Sequence, residues 1–413
     1  MTTLWRSGSG WRVLAPWMLL SFVFGCGGGA ESPRESSGSA GQGASGAGGG
    51  SGGGEGGAGG GTGEPQAQIS AGGDFNLLLR ADGKLWAWGI NDEGQLGYGV
   101  TSEAGGPLEV ELPNLRSVHA GDGFSLAVTK DGTVWSWGRN LAGQLGDGTT
   151  MARATPAELP GLVGVQSAAG GRMHSLVLKE DGTVWAFGLN SSGQLGNGSL
   201  EEYVAVPVQV SGLMDIRAVA AGSNFSLALR KDGKVLAWGS NSKGQLGLPG
   251  IAAANEPVEI PTLSSIVAIS ARRMNAMALD DTGKVWTWGE MEGVSPMGTE
   301  LVPPSPLAGG ADTAAIAAGQ LHSLLLKKDG TVFAYGNNSE GQLGDGKTDN
   351  TLQLVQTSTL KDIVAIGGGN YHSIALDWQG KVYCWGANGS NQLGTGTPME
   401  QSLVPIAVEI PSP

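Results

Sequence analysis

The sequence predicts an all-β fold: a seven-bladed β-propeller of four-stranded antiparallel blades, its ring closed by the C-terminal strand. Three observations carry this prediction. First, the stretch Asp131 to Gly148, DGTVWSWGRNLAGQLGDG, recurs along the chain, and its Trp-Gly or equivalent pair ends at Gly89, Gly138, Gly188, Gly239, Gly289, Gly336 and Gly386. The steps are 49, 50, 51, 50, 47 and 50 residues, a period that signals a repeat architecture. Second, each unit holds four short apolar segments of alternating character, which read as strands. In the fourth unit these are Ile216–Ala220, Ser226–Leu229, Val235–Trp238 and Glu256–Ile260. Third, a turn glycine separates the second and third segments. It stands in Asp82-Gly83, Asp131-Gly132, Asp181-Gly182, Asp232-Gly233 and Asp329-Gly330, and softens to Thr282-Gly283 and Gln379-Gly380. Such pairs mark hairpins, because the turn needs positive φ.

Before the repeats, the 413-residue chain divides into two further parts. Residues 1–25 read as an export signal: Arg6 and Arg12 precede a 12-residue apolar run, Val13 to Phe24, too short to span a bilayer comfortably. The run ends at Val23-Phe24-Gly25-Cys26, which resembles the bacterial lipoprotein lipobox. That resemblance implies lipidation of Cys26, and Gly27 after it implies display at the outer membrane or cell surface. The alternative is an ordinary secretory signal with an incidental cysteine. Residues 26–66 are almost entirely Gly, Ser, Ala and Glu, with no apolar periodicity to build a core. They read as a tether with an r.m.s. reach of about 35 Å. The net charge of −13 argues against a nucleic-acid partner.

Residues 67–413 form the propeller. The first unit opens at Gln68-Ile-Ser-Ala with no strand before it, and the chain ends on Val404 to Ile410. The expectation is that this last strand completes the first blade, leaving no open edge.

The motif Asn-x-x-Gly-Gln-Leu-Gly stands at Asn91–Gly97, Asn140–Gly146, Asn190–Gly196, Asn241–Gly247 and Asn338–Gly344. With the Trp-Gly stops it resembles the regulator-of-chromosome-condensation (alpha-tubulin-suppressor-like) repeat family over about residues 67–410. The resemblance implies the propeller but little about function, since that family includes a nucleotide exchange factor, a plant ultraviolet receptor and a secreted β-lactamase inhibitor. Two departures are informative. In the seventh unit Asn391 replaces the loop glycine, which implies positive φ there. In the fifth unit Glu290 to Met297 replaces the motif, and Arg272 stands where the other six units have glycine. The fifth unit is either decayed or reshaped for contact.

Candidate chemistry is sparse. His174, His322 and His372 share one slot, but that slot is Phe75, Phe124, Phe225 and Asn275 elsewhere, so it reads as packing rather than a metal ring. His119 lies in the strand entering the second blade. Cys384 replaces small residues at an inward strand position and reads as a buried thiol. The Asp-Gly-Thr-Val-Trp repeats lack the rest of a sialidase Asp-box, and no facing carboxylate pair stands out. No P-loop is present. The tryptophans recur in register, as packing does. No cofactor and no metal are expected, and no catalysis.

What varies is one ring of loops. Between the glycine slot and the Phe/His slot lies a two-residue window: Gly73-Asp74, Asp122-Gly123, Arg172-Met173, Ser223-Asn224, Arg273-Met274, Gln320-Leu321 and Asn370-Tyr371. The residue after Trp-Gly varies likewise, as Ile90, Arg139, Leu189, Ser240, Glu290, Asn337 and Ala387. Antiparallel strands place both sets on one face. Met, Leu, Tyr and Arg are the residue types of interfaces, and loops on rigid scaffolds carry binding. The candidate contact ring is therefore Ile90, Arg139, Arg172, Met173, Leu189, Arg273, Met274, Gln320, Leu321, Asn370 and Tyr371. The plainer alternative is surface drift. The reading is a monomeric, non-catalytic, membrane-anchored scaffold that binds an unidentified protein partner. Two alternatives stand beside it: an exchange-factor-like regulator, by family resemblance, and a glycan-binding propeller.

Overall fold

The computed structural model describes residues 67–290, 303–396 and 399–411. It contains seven four-stranded antiparallel sheets, at 68–110, 115–158, 165–209, 216–259, 266–306, 313–356 and 363–408. Strands follow one another in chain order within every sheet. The first strand of each blade packs against the first strand of the next, and Gln68–Ala71 packs against Ile363–Gly368, so the ring is closed. First and second strands are mostly buried, whereas the fourth strand Tyr203–Gln209 keeps only exposed and half-buried residues. The propeller is as the sequence predicts.

The closure is not. Strand Gln401–Val408 pairs with Val382–Ala387 inside the seventh blade. The first blade is completed by its own strand, Ser102–Val110. The expectation took the first unit to lack an outer strand and gave it the last one. In fact each Trp-Gly stop is followed by its own outer strand, so none is missing. The seam is held by contacts between the seventh and first blades instead. Asn76 Nδ2 and Trp88 Nε1 both donate to the Gln392 carbonyl, at 2.8 and 3.1 Å. His372 Nε2 meets Asn76 Oδ1 at 3.0 Å. Ile69, Ala71, Leu78 and Trp88 share one apolar cluster with Ile374, Leu376 and Val408.

The repeated motif explains the other junctions. In the second blade Asn140 Oδ1 accepts the Leu145 N–H at 2.9 Å, and Asn140 Nδ2 donates to the Thr149 and Met151 carbonyls. Gln144 Oε1 accepts the Ala142 N–H at 2.9 Å. These bonds hold the loop so that the glutamine main-chain carbonyl faces the following blade. There it receives an indole N–H, a serine O–H or both: Gln144 O accepts Ser175 Oγ at 2.8 Å, with Phe187 in place of the indole, and Gln245 O accepts Trp288 Nε1 at 2.9 Å. Gln95 O accepts Trp137 Nε1 at 2.9 Å and Ser125 Oγ at 2.8 Å. Gln194 O accepts Trp238 and Ser226 at 2.9 and 2.8 Å, and Gln342 O accepts Trp385 and Ser373 at the same distances. The fifth unit has no such glutamine, and the sixth blade carries Tyr335 where the others place Trp or Phe.

Two backbone positions follow from close approach. A Cβ on Gly138 (φ 100°) would lie 2.7 Å from Phe124 Cα, so the Trp-Gly stop excludes side chains. Asn391 has φ 56°, as the sequence implies, and donates to the Gly105 carbonyl at 3.2 Å.

The histidines belong to the same junctions. His174 Nε2 meets Ser226 Oγ at 3.0 Å, and His322 Nε2 meets Ser373 Oγ at 2.9 Å. All three slot histidines are fully buried. Burial lowers His174 to about 4, and burial with the Arg272 charge lowers His322 and His372 to about 3. His119 is buried beside Ser117, and burial lowers it to about 4. Cys384 is buried too, and burial pushes its thiol well up.

Two predictions follow from this packing. Trp238→Phe leaves Gln194 O with one donor and a smaller ring, and should cost about 1–3 kcal/mol. Trp238→Ala should cost about 3–5 kcal/mol. Urea unfolding with unchanged slope checks both. The second concerns pH. A buried neutral histidine titrates near 6.5 when unfolded and near 3 to 4 when folded, so the unfolded state binds more protons between those values. Stability is therefore full above pH 6.5 and declines as pH falls below it. At pH 5.5 each such histidine should have lost about 1 kcal/mol relative to pH 7.5. His174→Phe, which restores the residue of other blades, should shrink the difference between those two pH values by about that amount.

Candidate functional site on the loop face

The loops between first and second strands and between third and fourth strands emerge at one end of the ring. Two sets of backbone hydrogen bonds organise them. In all seven blades the N–H after Trp-Gly donates to the carbonyl of the second window residue: Ile90 to Asp74, Arg139 to Gly123, Leu189 to Met173, Ser240 to Asn224, Glu290 to Met274, Asn337 to Leu321 and Ala387 to Tyr371, at 2.7–3.0 Å. The first window residue donates sideways to the next blade, as in Gly73 to Asp122 O, Asp122 to Gly171 O, Arg172 to Gly222 O, Ser223 to Arg273 O, Gln320 to Gly369 O and Asn370 to Gly73 O. Both predicted sets therefore lie on one face. Their main chains are held while their side chains are free to differ.

The side chains are less exposed than the sequence suggests. Arg172 is exposed, and Ile90, Arg139, Met173, Leu189, Arg273, Met274, Gln320, Asn370 and Tyr371 are half-buried. Leu321 is only 8% exposed and belongs to the core, so it is not a contact residue; burying its apolar side chain is favourable. Arg139 is held by Glu93 at 3.0 Å, with Asp122 at 3.7 Å. Glu290 pairs with Lys243 at 2.8 Å. Asn370 Nδ2 donates to Asp74 Oδ2 at 3.4 Å. Burial raises the Asp74 carboxyl above its ordinary value, opposed by that bond.

The ring encloses a cavity of about 240 Å³ at the mouth of the central channel. Arg172, Arg273, Met274, Gln320 and Asn370, all predicted, reach its wall. Ile90, Arg139, Met173, Leu189 and Tyr371 are not among the wall residues. Sequence reasoning missed Asp122 and Asn224 on this wall and noticed Arg272 without placing it.

Arg272 shows how the fifth blade is built. In other blades a Cβ at the glycine slot would collide with the ring three residues on: 2.0 Å from Phe75 for Gly72, 2.2 Å from Phe124 for Gly121 and 2.3 Å from His322 for Gly319. In the fifth blade that ring is replaced by Asn275, which turns to Ser323 Oγ at 2.8 Å. The space is then available to a side chain, and the first strand runs on to Arg272, which pairs with Asn275 across a two-residue turn. Arg273 in that turn takes φ 48°. Arg272 is 7% exposed, and its Nη1 donates to the Ala71 carbonyl of the first blade at 2.9 Å. The signal was legible: two slots changed together. Among the described residues, no group of three or more His, Cys, Asp or Glu is placed to hold a metal ion.

Comparison with known proteins agrees with this architecture. The RCC1-like domain family matches residues 160–413. The regulator of chromosome condensation (RCC1) repeat matches 82–128 and 131–178, and a second form of that repeat matches 67–95 and 116–144. The chain is similar to human probable E3 ubiquitin-protein ligase HERC6, at 33% identity over 161 residues, 36% of this chain and 16% of that protein. It is also similar to human E3 ubiquitin-protein ligase HERC2, at 29% identity over 150 residues, 36% of this chain and 2% of that protein. The chain thus spans only a small part of the length of these relatives. Among solved structures, human WBSCR16 superposes with a TM-score of 0.72 at 24% identity, covering 79% of this chain and 95% of that one. Prp20p of Saccharomyces cerevisiae superposes with a TM-score of 0.66 at 24% identity, covering 74% and 81%. These structural likenesses concern the fold. With seven blades, their repeated glutamine loops and a family match over most of the repeats, the chain belongs to the RCC1-like domain family.

Proposed function

We propose that this chain is a non-catalytic interaction scaffold that binds another protein through its loop face, as a monomer displayed at the cell surface by a lipid on Cys26. One observation carries the reading. Seven backbone bonds fix the same loop frame in every blade, yet the side chains on that frame differ from blade to blade. A frame held by main chain alone places few demands on side chains, which is what an evolvable contact surface requires. Cys26 and residues 1–66 lie outside the described residues, so the anchor rests on the lipobox resemblance.

Two other readings have less behind them. Prp20p is described by its binding to Gsp1p and histones. Exchange-factor-like regulation would be the corresponding reading, but an export signal removes the chain from a cytosolic GTPase. A glycan partner needs planar aromatics flanked by acids, and on this ring only Tyr371 qualifies. The opposite face carries exposed Trp378, Met214 and Val163. Val163 and Met214 stand in equivalent loops one repeat apart and Trp378 in the seventh blade, and apolar residues exposed singly are ordinary.

The test is retention of envelope proteins by the purified chain and by a variant carrying Arg172→Ala, Met173→Ala, Met274→Ala and Tyr371→Ala. A protein retained by the first and at least about tenfold less by the second is expected. Equal retention would contradict the reading. For the anchor, Cys26→Ser should abolish incorporation of labelled palmitate and release the protein from membranes; label retained by that variant would contradict lipidation.

A further inference from the structure

We infer that the mouth of the central channel is a binding site for a single carboxylate, anchored by the guanidinium of Arg272. This goes beyond the protein-binding reading and does not depend on it.

Four observations carry it. The cavity is enclosed by loops of several blades and has about 240 Å³, room for about eight waters. Arg272 stands on its wall and is more than nine-tenths buried. Its Nη1 is used by the Ala71 carbonyl, while its Nη2 is buried without a protein partner. A guanidinium is a two-pronged donor matched to carboxylate, and a buried donor left unmade is costly. Had the arginine served only to brace the ring against Ala71, a lone donor would have sufficed; the other six blades manage with glycine at this slot.

The charge of the site selects the ligand. Arg172, Arg272 and Arg273 stand on the wall with the carboxylate of Asp122, and the Asp74 charge also reaches Arg272. Three positive groups against two negative ones leave room for one more negative charge. A dianion such as phosphate would set excess charge beside two carboxylates in a poorly solvated space. The amides of Asn224 and Gln320 on the same wall supply neutral donors for the second oxygen or the stem of the ligand. The cavity is small for a drug-sized molecule, so the ligand is a short carboxylic acid or a single acidic side chain.

The test is a titration of the purified full chain in a carboxylate-free buffer. The probes are acetate, acetamide, inorganic phosphate, and a hexapeptide with one internal Glu beside its Gln counterpart, both with blocked ends. Saturable binding of acetate identifies a free acid as sufficient; binding of the Glu peptide alone assigns the site to a protein side chain. In both cases acetamide, phosphate and the Gln peptide should bind at least about tenfold more weakly. Arg272→Gly and Arg272→Lys should each lose about tenfold or more, the lysine because it keeps the charge and lacks the fork. Asp122→Asn leaves the anchor in place and should tighten binding by removing a competing charge, so the proposal stays testable even where Arg272→Gly unfolds. Binding of neither probe, phosphate tighter than carboxylate, or undiminished binding by folded Arg272→Gly would overturn it.

Discussion

A single main-chain carbonyl, that of the glutamine in each repeated loop, holds one blade to the next. In the first, third and sixth units it accepts an indole N–H and a hydroxyl from the following blade, both away from water. Buried carbonyls need partners, and here the partners come from outside the sheet, so the blade that supplies them is fixed in place. The rest of the repeat serves that carbonyl. Asparagine and glutamine side chains shape the loop, glycines allow it to approach the neighbour, and the Trp-Gly stop delivers the indole. The same device operates at the seam, where Gln392 faces Asn76 and Trp88. A ring closed by equivalent contacts needs no strand shared between its ends.

Much of this was legible in the sequence. Period, strand pattern and turn glycines establish the propeller, because each repeat must bury the same faces against its neighbours. Asn391 announced a left-handed backbone, and the Phe/His slot announced packing. The closure was not legible, since seven outer strands fit a ring equally well whether each belongs to the unit before or after it; only pairing of Gln401–Val408 with Val382–Ala387 decides. Burial within the loop ring was also hidden. Leu321 and Tyr371 occupy equivalent positions, yet one is withdrawn into the core and the other is half-buried. Sequence alternation speaks to strands, whereas loop side chains are placed by contacts between blades.

The fifth blade shows what the frame permits. Removing the ring at the Phe/His slot makes room for Arg272, and loss of the glutamine loop coincides with loss of the indole in the next blade. The first change trades the volume of a ring for that of an arginine side chain. The outcome is a cationic side chain on the cavity wall, at a slot that holds glycine in the other six units. The loop face thus combines a rigid backbone belt with one blade whose chemistry differs from the rest. Fixed main chain and variable side chains are the physical content of the scaffold reading.

The most direct measurement of that reading is site-specific photocrosslinking in the cell, with a photoreactive amino acid placed at Tyr371 on the loop face and, separately, at Trp378 on the opposite face. The account predicts one crosslinked protein of the same size from Tyr371 and from a second loop-face position, Arg172, and none from Trp378. A partner captured from Trp378 and absent from both loop-face positions would contradict it.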